Sequence, residues 1–217
     1  MEKLEQLIKG HKEFQNFHFK KFEYQFDELV SKGQSPEILF IGCSDSRVVP
    51  DLITGSKPGD LFILRNIGNF VPAFKKDNDF HGTAAAIEYA VSVLEVKHII
   101  VCGHSYCGAC ESLYKVLPDG DDLVHVRKWL EIGKVPKAFV ETNFKEFSFD
   151  EKLRMTEQIS IIFQLENLLT YPAVKRKVED GSLTIHGWYY ELQSGNIKYF
   201  DSTELEFKDL NSKKELD

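Results

Sequence analysis

Gly82-Thr-Ala-Ala-Ala-Ile-Glu-Tyr-Ala-Val-Ser-Val-Leu94, followed at once by the apolar run His98-Ile-Ile-Val-Cys102 and then Gly103-His104, decides the fold. The first segment reads as an alanine-rich helix with Thr83 as its expected N-cap. The second is short, continuous and bounded by turn residues, the pattern of a strand buried on both faces. Upstream, Ile38-Leu-Phe-Ile41 and Leu61-Phe-Ile-Leu64 have the same character. Strand, crossover helix, strand implies a parallel sheet whose functional groups gather at the carboxyl ends of its strands. Cys43 and His104 both stand at such ends.

Outward from this centre the chain reads as one α/β domain over residues 1–217: a mostly parallel central sheet flanked by helices. Residues 1–33 form an N-terminal helical arm, with Leu4, Leu7, Ile8, Phe14, Phe17, Phe22, Phe26, Leu29 and Val30 at roughly helical spacing. The pattern is interrupted near Gly10 and ended by Gly33 and Pro36. Helices are expected over 121–132 and 149–169, the second burying Leu153, Ile159, Ile162, Phe163 and Leu165 to Leu169, and a short one begins at Pro172. Leu183 to Tyr190 and Ile197 to Phe200 alternate around Ser194-Gly195-Asn196, which predicts a C-terminal antiparallel hairpin. The polar stretch 209–217 is expected to be a mobile tail.

Composition narrows the function. The 217 residues are 42% hydrophobic and 28% charged, with a formal net charge of −7. An acidic chain without a basic stripe is a poor nucleic-acid binder, because Lys and Arg supply most of that affinity. The start lacks a signal-type apolar run, and no window approaches a membrane span. The expectation is a soluble cytoplasmic protein with neither nucleic-acid nor membrane partners. Four cysteines in a reducing compartment point to metal or catalysis before disulfides.

Those cysteines carry the chemistry. Cys43-Ser-Asp-Ser-Arg47 and His104-Ser-Tyr-Cys107-Gly-Ala offer two thiolates and one imidazole, a set that suits Zn²⁺. Three protein ligands leave the fourth tetrahedral corner for water and chemistry. Two thiolates cancel the ion's charge, so bound water should be less acidic than at a tris-histidine zinc, and activity should rise into alkaline pH. Asp45 falls within reach of the open corner and Arg47 within reach of Asp45; an Asp held by Arg can orient a zinc-bound nucleophile, whereas an Asp swung onto zinc would close the site.

These motifs resemble the β-class carbonic anhydrases. The likeness extends through Arg65-Asn66-Ile-Gly-Asn69, Gly82-Thr-Ala-Ala-Ala-Ile-Glu-Tyr89 and His186-Gly187-Trp188, covering most of residues 30–200. It implies a lyase that reversibly hydrates carbon dioxide to bicarbonate and a proton by zinc hydroxide attack. Cys43, His104 and Cys107 would bind one Zn²⁺ per subunit, and Asp45 with Arg47 would form the catalytic dyad. It also implies a homodimer or homotetramer, built through helical arms and sheet edges, with active sites near the subunit interface. Lys32-Gly-Gln34-Ser-Pro36 is similar to the plant-type pattern, which assigns Gln34, Phe62, Ile67 and Tyr89 to the substrate pocket. The backbone N–H of Gly108 is a further candidate donor to the developing bicarbonate. The bicarbonate-inhibited subtype has Trp where this chain has Phe40, and Pro-Ala where it has Val49-Pro50; only Arg65 is shared. An open site near neutral pH is therefore expected.

Two alternatives compete. A related zinc hydrolase acting on carbonyl sulfide or carbon disulfide would share the ligands and dyad and differ in pocket access. A non-catalytic zinc or redox module could use Cys107-Gly-Ala-Cys110, a C-x-x-C, but Cys107 would already be committed to the metal.

Overall fold

The computed structural model describes residues 2–77 and 79–212. In chain order its elements are helices α1 (Glu2–Glu13) and α2 (Phe19–Lys32) with a π-helical turn Phe14–His18 between them, strand β1 (Ile38–Cys43), α3 (Pro50–Thr54), β2 (Leu61–Asn66), α4 (Gly82–Ser92), β3 (His98–His104), α5 (Gly108–Ser112), α6 (Val124–Leu130), α7 (Lys134–Asn143), α8 (Phe149–Leu168), α9 (Pro172–Glu179), and strands β4 (Thr184–Tyr190), β5 (Ile197–Asp201) and β6 (Glu206–Asp209). The strands form one six-stranded sheet in the order β2-β1-β3-β4-β5-β6. β1 to β4 run parallel; β5 and β6 are antiparallel.

The three apolar runs become β2, β1 and β3 because each must be covered on both faces. Leu39, Ile41, Ile99 and Val101 are fully buried in one cluster with Ile87, Val91, Ile161, Leu168 and Val174 of α4, α8 and α9. Phe40, Ile100 and Cys102 fill a smaller cluster on the other face. Two glycines set how closely α8 lies on the sheet. A Cβ at Gly103 would stand 2.8 Å from Ile161 Cδ1, and one at Gly187 2.9 Å from Ile161 Cγ2. The helix is seated by these gaps, and its start is fixed by a capping box in which Ser148 and Glu151 satisfy each other's backbone N–H.

Several details differ from the sequence reading. The arm is not broken at Gly10, which lies inside α1; the irregularity is the π-helical turn, whose Phe14 packs edge-on with Phe19, itself stacked on Phe26 at 5.2 Å. Thr83 is not the N-cap of α4, because the helix begins one residue earlier and the Thr83 hydroxyl instead accepts from Asn66 Nδ2 at 3.3 Å. The buried face of α8 is Leu153, Thr156, Glu157, Ser160, Ile161, Gln164 and Leu168, largely polar or small where larger apolar residues were expected. α7 and β6 were not foreseen: α7 carries Pro136 near its start, and β6 has a single apolar residue, Phe207. From Asp209, the end of β6 and a 3-10 turn Leu210–Ser212 are described; residues 213–217 lie outside the described residues.

Candidate metal centre

Parallel pairing places the ends of β1 and β3 side by side, with Gly42 opposite Cys102. Cys43 closes β1, His104 closes β3, and Cys107 caps α5 three residues later. Their ligand atoms lie within 4.8 Å of one another, and all three residues are buried. The imidazole is oriented by its far nitrogen: His104 Nδ1 lies 2.9 Å from the Ser105 carbonyl. A carbonyl only accepts, so Nδ1 carries the proton and Nε2 presents its lone pair to the two sulfurs. Nε2 is buried with no hydrogen-bond partner among the described residues. A buried polar atom without a partner is costly, and one aimed at two thiols is what a soft, borderline cation would satisfy. The residues fit zinc.

Backbone and side chains around the thiols are equally committed. Asp45 N–H and Gly68 N–H each point at Cys43 Sγ, at 3.4 Å. Gly68 has φ +78°, and a Cβ there would meet Ala109 at 2.8 Å, so only glycine brings this N–H so close. Without a cation both thiols hold their protons: hydrogen bonding with Cys107, then burial, pushes Cys43 up to about 12. Hydrogen bonding with Cys110 first, and burial as well, raises Cys107. A coordinated dication reverses that preference and takes thiolates.

Asp45 stands beside this group. Its Oδ2 is 4.0 Å from His104 Nε2. Arg47 donates Nε to Oδ1 at 2.9 Å and Nη2 to Oδ2 at 2.7 Å, a bidentate clasp that, with its backbone N–H, holds the Asp45 carboxyl well below the usual range. Arg65 grips the same loop from β2, donating to Cys43 O at 2.9 Å and Asp45 O at 2.7 Å.

The pocket candidates divide between two ends of the sheet. Ile67 and Gly108 adjoin the cysteines: Trp129 Nε1 pins the Ile67 carbonyl at 2.7 Å, and Gly108 opens α5, where its N–H has no intrahelical acceptor. Phe62 and Tyr89 do not. Their rings pack together at 5.9 Å, and Phe62 is paired with Leu39, whereas Cys43 is paired with Asn66. Four residues of strand, about 13 Å, therefore separate them within one chain. Gln34, exposed, precedes the start of β1 at that same far end.

Sequence reasoning missed Glu157. It is 2% exposed, its Oε1 accepts the Cys107 N–H at 2.9 Å, and burial pushes its carboxyl up to about 7. The available signal was its place between Leu153 and Ile161, at i−4 and i+4 on a buried helical face. The other carboxylate–imidazole group among the described residues, Asp77, Asp79 and His81, is exposed, and His81 Nε2 already meets Asp77 Oδ1 at 2.6 Å.

Comparison with known proteins agrees with this geometry. The carbonic anhydrase family profile matches residues 38–197. A carbonic anhydrase of Synechococcus elongatus is 38% identical over 200 residues, covering 92% of this chain and 72% of the relative. The solved β-carbonic anhydrase CcaA superposes with a TM-score of 0.90 at 38% identity, covering 96% of this chain and 92% of that one. One of two tetrameric β-carbonic anhydrases from Sordaria macrospora gives 0.80 at 30% identity, covering 92% of this chain and 97% of that one. With the strand-end Cys-His-Cys group, these likenesses show that the chain belongs to the β-class carbonic anhydrases.

Proposed function

We propose that this carbonic anhydrase hydrates carbon dioxide reversibly at one zinc per subunit, held by Cys43, His104 and Cys107. The observation that carries the assignment is the buried, unpartnered His104 Nε2 facing two thiols beside an Arg-clasped carboxylate. When bound, zinc would supply the Lewis acidity that makes a solvent molecule nucleophilic, increasingly so as pH rises above neutral. The chain does the rest. Asp45, held ionised by Arg47 beside the Cys-His-Cys group, would accept a hydrogen bond from the nucleophile and orient it toward carbon dioxide. With both Asp45 oxygens engaged by Arg47, the carboxylate would have little call to close onto a metal held there, which supports an open site near neutral pH. Arg65, committed to the Cys43 and Asp45 carbonyls, is a loop clamp here rather than an anion site. The Gly108 N–H, at the positive end of α5, donates to the developing bicarbonate.

Phe62, Tyr89 and Gln34 complete the pocket from a second copy of the chain, in a homodimer or homotetramer. Two features support this: their distance from Cys43 within one chain, and the apolar residues exposed on the arm. Among the described residues no helix is long and apolar enough to cross a membrane, and the enzyme is proposed to work in the cytoplasm.

Stopped-flow carbon dioxide hydration with metal analysis tests the roles. Cys43→Ser should lose zinc and activity together. Asp45→Asn should keep zinc and lose about 10–100-fold in rate. Zinc-loaded wild type that is idle toward carbon dioxide would overturn the assignment.

A further inference from the structure

Tyr106 stands between the ligands His104 and Cys107 with φ +59°, a left-handed conformation that an aromatic residue seldom adopts. Two arginines converge on it. Arg47 donates Nη2 to its carbonyl at 2.9 Å. Arg154 lies over its ring, with the guanidinium carbon 4.0 Å from the centroid. Arg154 Nη2 pairs at 2.8 Å with Glu157 Oε1, the oxygen that also accepts the Cys107 N–H. The second oxygen, Oε2, accepts from the Tyr189 hydroxyl at 2.8 Å. Burying a carboxylate among apolar neighbours is unfavourable unless its oxygens are partnered. Fastening α8 to the sheet would account for the Tyr189 bond alone. It would not account for the oxygen shared by Cys107 and Arg154, or for Arg154 lying on the strained residue between two ligands.

We propose that Glu157, with Arg154, is a positioning residue for the metal centre, fixing Cys107 through its backbone N–H and Tyr106 through its ring. The inference rests on Cys43, His104 and Cys107 being the ligands. Because Arg47 spans both the Tyr106 carbonyl and Asp45, the same anchor sets the reach of the dyad. Releasing it lets Tyr106 relax to negative φ, which turns its carbonyl away from Arg47 and moves Cys107. Metal geometry and dyad then change together.

The test uses zinc-loaded and cobalt-substituted full-length protein. Glu157→Leu should release zinc to a chelator about 10–100-fold faster than wild type, while Glu157→Gln, which keeps an acceptor oxygen for Cys107, should stay within about twofold. The visible cobalt bands, which report ligand geometry, should shift in Glu157→Leu and remain in place in Glu157→Gln. A purely structural role would lower thermal stability and leave the bands and release rate of the folded protein unchanged. That outcome overturns the anchor while leaving the metal site standing. Wild type that takes up neither ion would overturn both. If Glu157→Leu does not fold, Arg154→Met, at a partly exposed position, carries the test. It should shift the bands in the same direction, and wild-type bands and release in it would equally overturn the proposal.

Discussion

Glu157 carries its proton at a higher pH than a free carboxyl, and the sign of that displacement has a measurable consequence. Burial raises it from the ordinary carboxyl value of about 4.5 to about 7, against the opposing pull of Tyr189 and Arg154. The native state therefore binds more protons than the unfolded chain between those two values, so this residue's contribution to stability is greatest below pH 4.5 and falls as pH rises to 7. The full swing is about 3 kcal/mol. Thermal melts of wild type and Glu157→Gln at matched zinc content should converge or cross across this window, the wild type losing several degrees relative to the variant. Parallel curves would show that the carboxyl titrates normally. Asp45 behaves oppositely: Arg47 depresses it, so that pair is intact at neutral pH and is lost only in strong acid. At this scale the grouping of Cys43, His104 and Cys107 was legible, because a parallel sheet must bring the ends of β1 and β3 together and Cys107 follows three residues after His104. Glu157 was missed because its only local signal, the i−4 and i+4 spacing to Leu153 and Ile161, was masked by reading the larger apolar residues of α8 as its buried face.

The seat of α8 on β3 and β4 brings Glu157 to Cys107. A methyl group at Gly103 would overlap Ile161 at 2.8 Å and approach the Glu157 carbonyl at 3.6 Å, lifting the helix just where its carboxylate reaches the ligand loop. Gly103→Ala should cost about 1–3 kcal/mol through overpacking. It should also slow carbon dioxide hydration, because the anchor moves with the helix. Calorimetry beside stopped-flow rates separates the two effects; a Gly103→Ala enzyme with lowered stability but unchanged rate would detach α8 from the metal loop. The strands up to β5 were readable because continuous or alternating apolar runs of strand length have few other uses; β6 was not. The face of α8 was misread for a related reason: where strand glycines let a helix approach closely, the seam is filled by Thr156, Ser160 and Gln164 rather than by large apolar side chains. Gln164 then uses its carbonyl oxygen to accept the Val71 N–H at 2.8 Å, a long-range bond with no sequence signature.

The whole chain leaves two surfaces that a solitary copy does not explain. α1 buries none of its side chains, and Leu7, Phe17 and Val30 of the arm are 72%, 67% and 85% exposed. Phe62 packs on Tyr89 toward the end of the sheet remote from Cys43, with Gln34 preceding the start of β1, so within one chain about 13 Å of strand separates Phe62 from the level of Cys43. The second copy proposed above would resolve both, covering the arm and carrying one chain's Gln34, Phe62 and Tyr89 to the other's Cys-His-Cys group. This arrangement predicts complementation. Asp45→Asn has a defective dyad and an intact Gln34; Gln34→Ala has the reverse. If sites are composite, a mixed dimer contains one site with both defects and one with neither. Co-refolded mixtures should therefore hydrate carbon dioxide faster than the average of the two variants measured separately. Equal mixing confirmed by mass, with activity no greater than that average, would place Gln34 and Cys43 of the same chain in one site and require the N-terminal end of β1 to be rebuilt around its own metal.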